Sequence, residues 1–181
     1  MAAPPEKPMD LQSAAELASS IVFEASDAFL PQFFRHLISS DTKEPDSAVK
    51  ERGSIEVLVF ALHLTDRIAL SRLGNERRTS FMNAFLPAVQ RKLVADVARK
   101  LPSWYNERSL FYQACRLPKP GDDKQKGTLF WEFAKLMASP VHNPNPVYSN
   151  WNPVAFVELS LWGMDLMIAI TDAFDDAGLF G

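Results

Sequence analysis

Apolar residues recur every three or four positions along most of this chain, and the strict alternation of apolar and polar residues that marks a half-buried strand does not occur. Proline and glycine separate the apolar runs and indicate where one helix gives way to the next. The pattern therefore predicts an all-α fold. We expect an irregular single-domain bundle of about six to eight helices with a long apolar C-terminal helix.

The first two helices have recognisable ends. Asp10 is an N-cap candidate for the first helix, and Pro31 is expected to break or kink it. The second helix begins near Asp46 or Ser54. It ends at Gly74, which suits the left-handed conformation that often follows a helix.

Proline position decides how the next segment is divided. We interpret residues 76–86 as one helix, capped by Asn75, and residues 87–100 as another, because Pro87 suits a first helical position. A single helix kinked at Pro87 is the alternative. Pro102 is expected to stop this run.

Three more helices are predicted in the second half of the chain. Residues 104–117 form one, and Thr128 caps a short aromatic helix closed by Pro140. Pro153 occupies the first position of the last helix, and Gly178 ends it.

Composition indicates an ordinary globular chain. The 181 residues carry a net charge of −3, which argues against a nucleic-acid binder. Residues 1–9 are expected to form a disordered N-terminal arm, and residues 10–181 a single domain. Cys115 is the only cysteine, so an intrachain disulfide is excluded, and no secretory signal is apparent. We expect a soluble cytoplasmic protein.

The one stretch with membrane-like hydropathy lies in the last helix, at residues 154–170. It contains Glu158 and Asp165, and each carboxylate would cost a few kcal/mol in hydrocarbon. We therefore predict a core helix and no membrane span.

The last helix is apolar over most of its circumference, so its few charges stand out. At about 100° per residue, four acids fall within roughly 40° of one another. They form what we call the acidic line: Glu158, Asp165, Asp172 and Asp176. Trp162 is interleaved with them and is not an ordinary solvent-facing choice, so Trp162 and Asp165 are candidate binding residues.

Three interpretations of the acidic line stay open. The acids are a solvated edge or are paired internally with arginines such as Arg67, Arg72, Arg77 and Arg78, or they meet the basic surface of a partner. In the third interpretation, Asp172, Asp175 and Asp176, one turn apart, hold Mg²⁺ or Mn²⁺.

His63 shares its helix with Glu56 and Asp66. A carboxylate-bridged metal site in a bundle needs Glu-x-x-His pairs from two helices, and the sequence has none. We expect His63 to be a hydrogen-bonded residue inside the bundle. If it faces Asp165, the contact between these two helices becomes a candidate binding cluster.

Residues 139–152 form a long proline-rich connection that repeats the pair Asn-Pro. Aromatic side chains on a stiff loop make a good recognition surface, so Tyr148 and Trp151 are candidate binding residues. The alternative is that both aromatics strap the connection onto the bundle.

The sequence contains no phosphate-binding glycine loop, nucleophile elbow, zinc-protease motif or dinucleotide fingerprint. We therefore predict a non-catalytic interaction or regulatory module without a cofactor, acting through a protein partner or as a homodimer. The alternative is a helical ligand binder, or a Mg²⁺- or Mn²⁺-dependent enzyme that acts on a phosphorylated substrate through the last helix.

Overall fold

The structure is a computed structural model that describes residues 9–38, 47–117, 126–138 and 153–179. Within these ranges the all-α prediction is confirmed, since every regular element is an α-helix and only an isolated bridge joins Arg116 to Thr128. The helices are α1 (Leu11–Ile38), α2 (Ser47–Arg91), α3 (Ala95–Tyr112), α4 (Leu129–Ala138) and α5 (Pro153–Asp176).

The described ranges hold five helices, fewer than predicted, because proline does not break them. Pro31, Pro87 and Pro102 all lie inside helices. The prediction that Pro87 begins a new helix is wrong: Phe85 and Val89 are buried on either side of the exposed proline and hold the backbone helical.

The same effect corrects the helix predicted for residues 104–117. Helix α3 starts at Ala95 and passes through Pro102, whose ring is exposed while neighbouring Leu101 is buried. The free energy gained by packing the inward face thus exceeds the cost of the backbone hydrogen bond that proline cannot donate.

Several predicted helix ends are confirmed. Asp10 Oδ1 accepts a hydrogen bond from the Ser13 backbone N–H at 2.8 Å, and Thr128 Oγ1 accepts one from the Trp131 N–H at 3.2 Å. Gly74 has a φ of 72°, and α2 changes direction there. Capping chemistry is a local property and was readable from the sequence.

Helix α2 occupies the centre and contacts each of the other four helices. All residues from Glu56 to Asp66 are buried, so this stretch faces protein on every side. The Phe60 ring stacks on that of Phe133, with centroids 4.2 Å apart. Its further ring contacts come from three helices: Tyr112, Phe130 and Trp162.

Helix α5 packs through its inward face against α1, α2 and α4. Trp162 stacks on Phe29 with a centroid separation of 4.6 Å, and its indole N–H donates to the Ala25 carbonyl at 3.1 Å. Pro153 is the first residue of α5, as predicted, and Gly178, with a φ of 61°, follows its end.

Within the described ranges, no helix combines the length and apolar character needed to cross a membrane.

Gly163 on α5 allows α4 to approach closely. A methyl group at this position would lie 2.7 Å from Cε1 of Phe130, whose ring is buried in the core. We expect Gly163→Ala to lower the free energy of unfolding by about 1–3 kcal/mol in urea titration. Without this clash the substitution would stabilise the helix by up to about 1 kcal/mol, so the sign of the change is diagnostic.

A double variant provides the control. Replacing Phe130 by Leu removes the ring edge, so Gly163→Ala should cost less in that background than in the natural one. Equal costs in both backgrounds would show that Phe130 does not set the requirement for glycine.

Candidate functional site

Two features of the described residues are candidates for function, and the first is a buried polar contact between α2 and α3. Glu56, His63 and Asp66 recur on α2 at helical spacing and are all buried. Helix α3 presents Tyr105 and Arg108 to them. We call these five residues the polar seam.

Glu56 and Arg108 form a two-pronged ion pair at one end of the polar seam. Nε of Arg108 donates to Oε2 of Glu56 at 3.1 Å, and the neighbouring nitrogen donates to Oε1. This hydrogen bonding raises the pKa of Arg108 above its ordinary value. Both oxygens of the buried carboxylate are therefore occupied.

Asp66 forms a second fork at the other end, with Arg78. Both nitrogen-to-oxygen distances are 2.6 Å, and the hydrogen bonds raise the pKa of Arg78. Because Gly74 lies between these residues in the chain, the ion pair links the two parts of α2 across its change of direction. Burial, followed by the nearby Asp66 carboxylate, raises the pKa of the Tyr105 hydroxyl.

His63 lies between the two ion pairs. Its ring stacks on that of Tyr105, with centroids 4.3 Å apart and planes 8° from parallel. Nε2 is 3.1 Å from the Tyr105 backbone oxygen, so Nε2 carries the proton and donates it to the carbonyl. His63 thus faces α3 and not Asp165, which is exposed on α5.

The polar seam is suited to joining helices. Both carboxylates are forked by arginine, and the Nε2 proton of His63 is held by a carbonyl oxygen, so these groups are engaged in contacts between parts of the fold. Burial raises the pKa of the nearby Cys115 thiol, which keeps the sulfur protonated and unreactive.

The second feature is the outward face of α5. Four apolar side chains project there with exposed fractions between 38% and 55%, which we call the outer stripe: Val157, Leu161, Met164 and Ile168. Their four-three-four spacing is that of the seam in a two-stranded coiled coil. A helix face of this kind normally lies against another helix.

The acidic line borders the outer stripe at roughly 70° around the helix. Asp165, Asp172 and Asp176 are exposed, and within the described ranges they form no ion pair. Arg77, which the sequence offered as a counter-charge, instead donates to the Leu179 backbone oxygen at 2.9 Å, and Arg78 pairs with Asp66. The described residues contain no group of three side chains arranged to hold a metal ion, and this includes Asp172, Asp175 and Asp176.

A groove of about 640 Å³ adjoins the outer stripe between α5 and α2. Ile168 and Asp172 belong to both the groove and the outward face of α5. Leu117 and Met167 add apolar wall, Ser71 and Thr171 add hydroxyl groups, and Arg72 adds a positive charge. The groove is large enough to receive a bulky side chain from a docked helix.

The structure separates the residues that the sequence grouped as binding candidates. Trp162 is only 9% exposed and belongs to the core, so its ring is not available to a partner, whereas Asp165 is exposed. Tyr148 and Trp151 lie outside the described residues. The heptad spacing of the outer stripe is present in the sequence, but so apolar a helix is expected to be buried on all sides, so the stripe does not stand out there.

The chain matches no family model, no curated protein and no solved structure.

The His63 environment gives a pH prediction. Burial lowers the pKa of His63 from 6.5 to about 4, so the unfolded chain binds a proton at a higher pH than the folded protein does. Stability should be complete above about pH 6.5 and fall by about 3 kcal/mol as the pH approaches 4. Urea titrations at several pH values measure this slope.

His63→Gln is the comparison variant, because it cannot titrate in this range. It should be less stable at pH 7, having lost the stacked ring, but its stability should change less between pH 6.5 and pH 4. The assignment is contradicted if the variant and the natural protein lose the same free energy over that interval.

Proposed function

We propose that this protein is a non-catalytic binding module whose α5 receives an amphipathic helix with basic flanks from a protein partner. The observation that carries the proposal is the outer stripe, an uncovered heptad seam beside exposed carboxylates. The expectations of a regulatory role and a cytoplasmic location belong to this proposal.

Apolar burial supplies the driving force. Each residue of the outer stripe keeps more than a third of its surface exposed, and a docked helix would remove that surface from water. A single exposed leucine such as Leu110 is ordinary on a protein surface. The four apolar side chains of the outer stripe instead share one helical register and form a continuous strip. The groove beside Ile168 provides a pocket for an anchoring side chain.

Charge supplies the choice of partner. Asp165 and Asp172 occupy the positions that flank the seam, where coiled-coil partners place the opposite charge. In an antiparallel pair of two α5 helices these carboxylates would face their own copies and repel each other. A partner that carries Lys or Arg beside its apolar seam avoids this repulsion, so we favour it over the homodimer.

Two synthetic peptides test the proposal. Each is a helix of about three heptads with Leu at the seam positions, one flanked by Lys and Arg and the other by Glu. We expect the basic peptide to bind in a fluorescence anisotropy titration, with an affinity that falls as salt is raised, and the acidic peptide to bind at least about tenfold more weakly.

Variants assign the binding to α5. Leu161→Ala combined with Ile168→Ala should weaken the basic peptide by at least about tenfold, because two apolar contacts are lost. Leu110→Ala is the matched control and should change nothing, since Leu110 is exposed on α3. Asp165→Lys with Asp172→Lys should shift preference towards the acidic peptide.

Two results would refute the proposal. One is equal binding of the two peptides, which would remove the role of the carboxylates. The other is a dimer in sedimentation equilibrium that Leu161→Ala dissociates, which would make a second copy the occupant of the outer stripe.

A further inference from the structure

A cavity of about 270 Å³ lies between α2 and α3, at the Glu56 end of the polar seam. Its lining includes two arginines, Arg52 and Arg108, and two glutamates, Glu56 and Glu107. Apolar wall comes from Ile55, Val59 and Trp104. The cavity thus joins charged groups to an aromatic surface, a combination typical of small-molecule sites.

Arg52 is the unusual member of this lining. Its Nε is buried without a hydrogen-bond partner, while the residue as a whole is half-buried and forms no ion pair with any described residue. A buried donor without an acceptor is unfavourable, because it has given up its hydrogen bond to water. An oxygen acceptor inside the cavity would offset this cost.

The neighbouring ion pair explains why Arg52 lacks a partner. Arg52 precedes Glu56 by one helical turn, the spacing at which an arginine and a glutamate ordinarily pair. Arg108 from α3 already occupies both oxygens of Glu56. Glu107 is exposed and accepts a hydrogen bond from Ser103 at 3.1 Å. The Arg52 guanidinium therefore remains available inside the cavity.

The charged residues of the cavity lining restrict the charge that a ligand can carry. Two arginines and two glutamates sum to zero, so a ligand with a single negative charge fits better than a phosphate dianion, which would face two carboxylates. A planar carboxylate matches the fork of a guanidinium, because it can accept two parallel hydrogen bonds.

The apolar lining and the volume of the cavity restrict the size and polarity of the rest of the ligand. Trp104 and Ile55 offer apolar contact, and the volume is below the range of about 300–1,000 Å³ that suits drug-sized molecules. We propose that this cavity binds a small organic monoanion, with its carboxylate on Arg52 and its aromatic or short aliphatic body against Trp104. This site is separate from the outer stripe.

Phenylacetate is the probe, and phenylacetamide is its uncharged counterpart of nearly the same shape. Isothermal titration of the full chain should show phenylacetate binding with a Kd at least about tenfold lower than that of phenylacetamide, since only the carboxylate forms charge-assisted hydrogen bonds. Binding should also raise the melting temperature in proportion to occupancy. Equal affinities for the two compounds, or no binding of phenylacetate, would overturn the proposal.

Substitutions locate the site. Arg52→Gln should abolish the preference for the carboxylate, and Arg52→Lys should keep only part of it, because an ammonium group lacks the fork. Lys92→Gln is the matched control, since it removes an exposed cation elsewhere and should leave the affinity unchanged. Carboxylate preference that survives in Arg52→Gln would contradict the assignment.

Stability separates a binding role from a structural one. Without ligand, Arg52→Gln should be at least as stable as the natural protein, because the substitution removes a buried Nε donor that has no acceptor. A clear loss of stability would show that Arg52 supports the fold, and would overturn the proposal. The Leu161→Ala, Ile168→Ala variant should bind phenylacetate normally, so failure of either proposal is recognised independently of the other.

Discussion

A helix that is buried on every side must find partners inside the protein for each polar side chain it carries. The stretch of α2 from Glu56 to Asp66 is buried in this way, and it carries Glu56, His63 and Asp66. On α3, Arg108 pairs with Glu56, and the Tyr105 carbonyl accepts a hydrogen bond from His63. Arg78, which follows the turn at Gly74, pairs with Asp66. The position of α3 and the path of α2 after Gly74 both follow from this requirement.

The same central position directs the other helices. Phe60 on α2 offers its ring to aromatic side chains from α3, α4 and α5, so these helices meet around one point of the core. Helix α5 joins this contact through Trp162, and Leu166 is buried on the same inward side. The outer stripe is apolar surface that the described part of the chain leaves exposed, which is why we relate it to a partner.

Features that depend on a few neighbouring residues are predictable from the sequence, whereas features that depend on packing between helices are not. The caps at Asp10 and Thr128 and the positive φ of Gly74 depend on a few neighbouring residues, and all three were predicted. Pro87 was misinterpreted because the burial of Phe85 and Val89, which holds the helix together, is a property of the whole fold. The pattern predicts Trp162 as a binding residue because the sequence does not show which side of an apolar helix faces the core.

The cavity at Arg52 shows the same competition acting on charge. On an isolated helix, Arg52 and Glu56 are one turn apart and would pair, and a sequence reader would find no free cation there. Docking of α3 brings Arg108 onto Glu56 with two hydrogen bonds, and this fork takes the carboxylate away from Arg52. The contact that satisfies the buried Glu56 thereby leaves the half-buried Arg52 without an ion-pair partner among the described residues. A tertiary ion pair thus leaves unpaired the charged group that we assign to ligand binding.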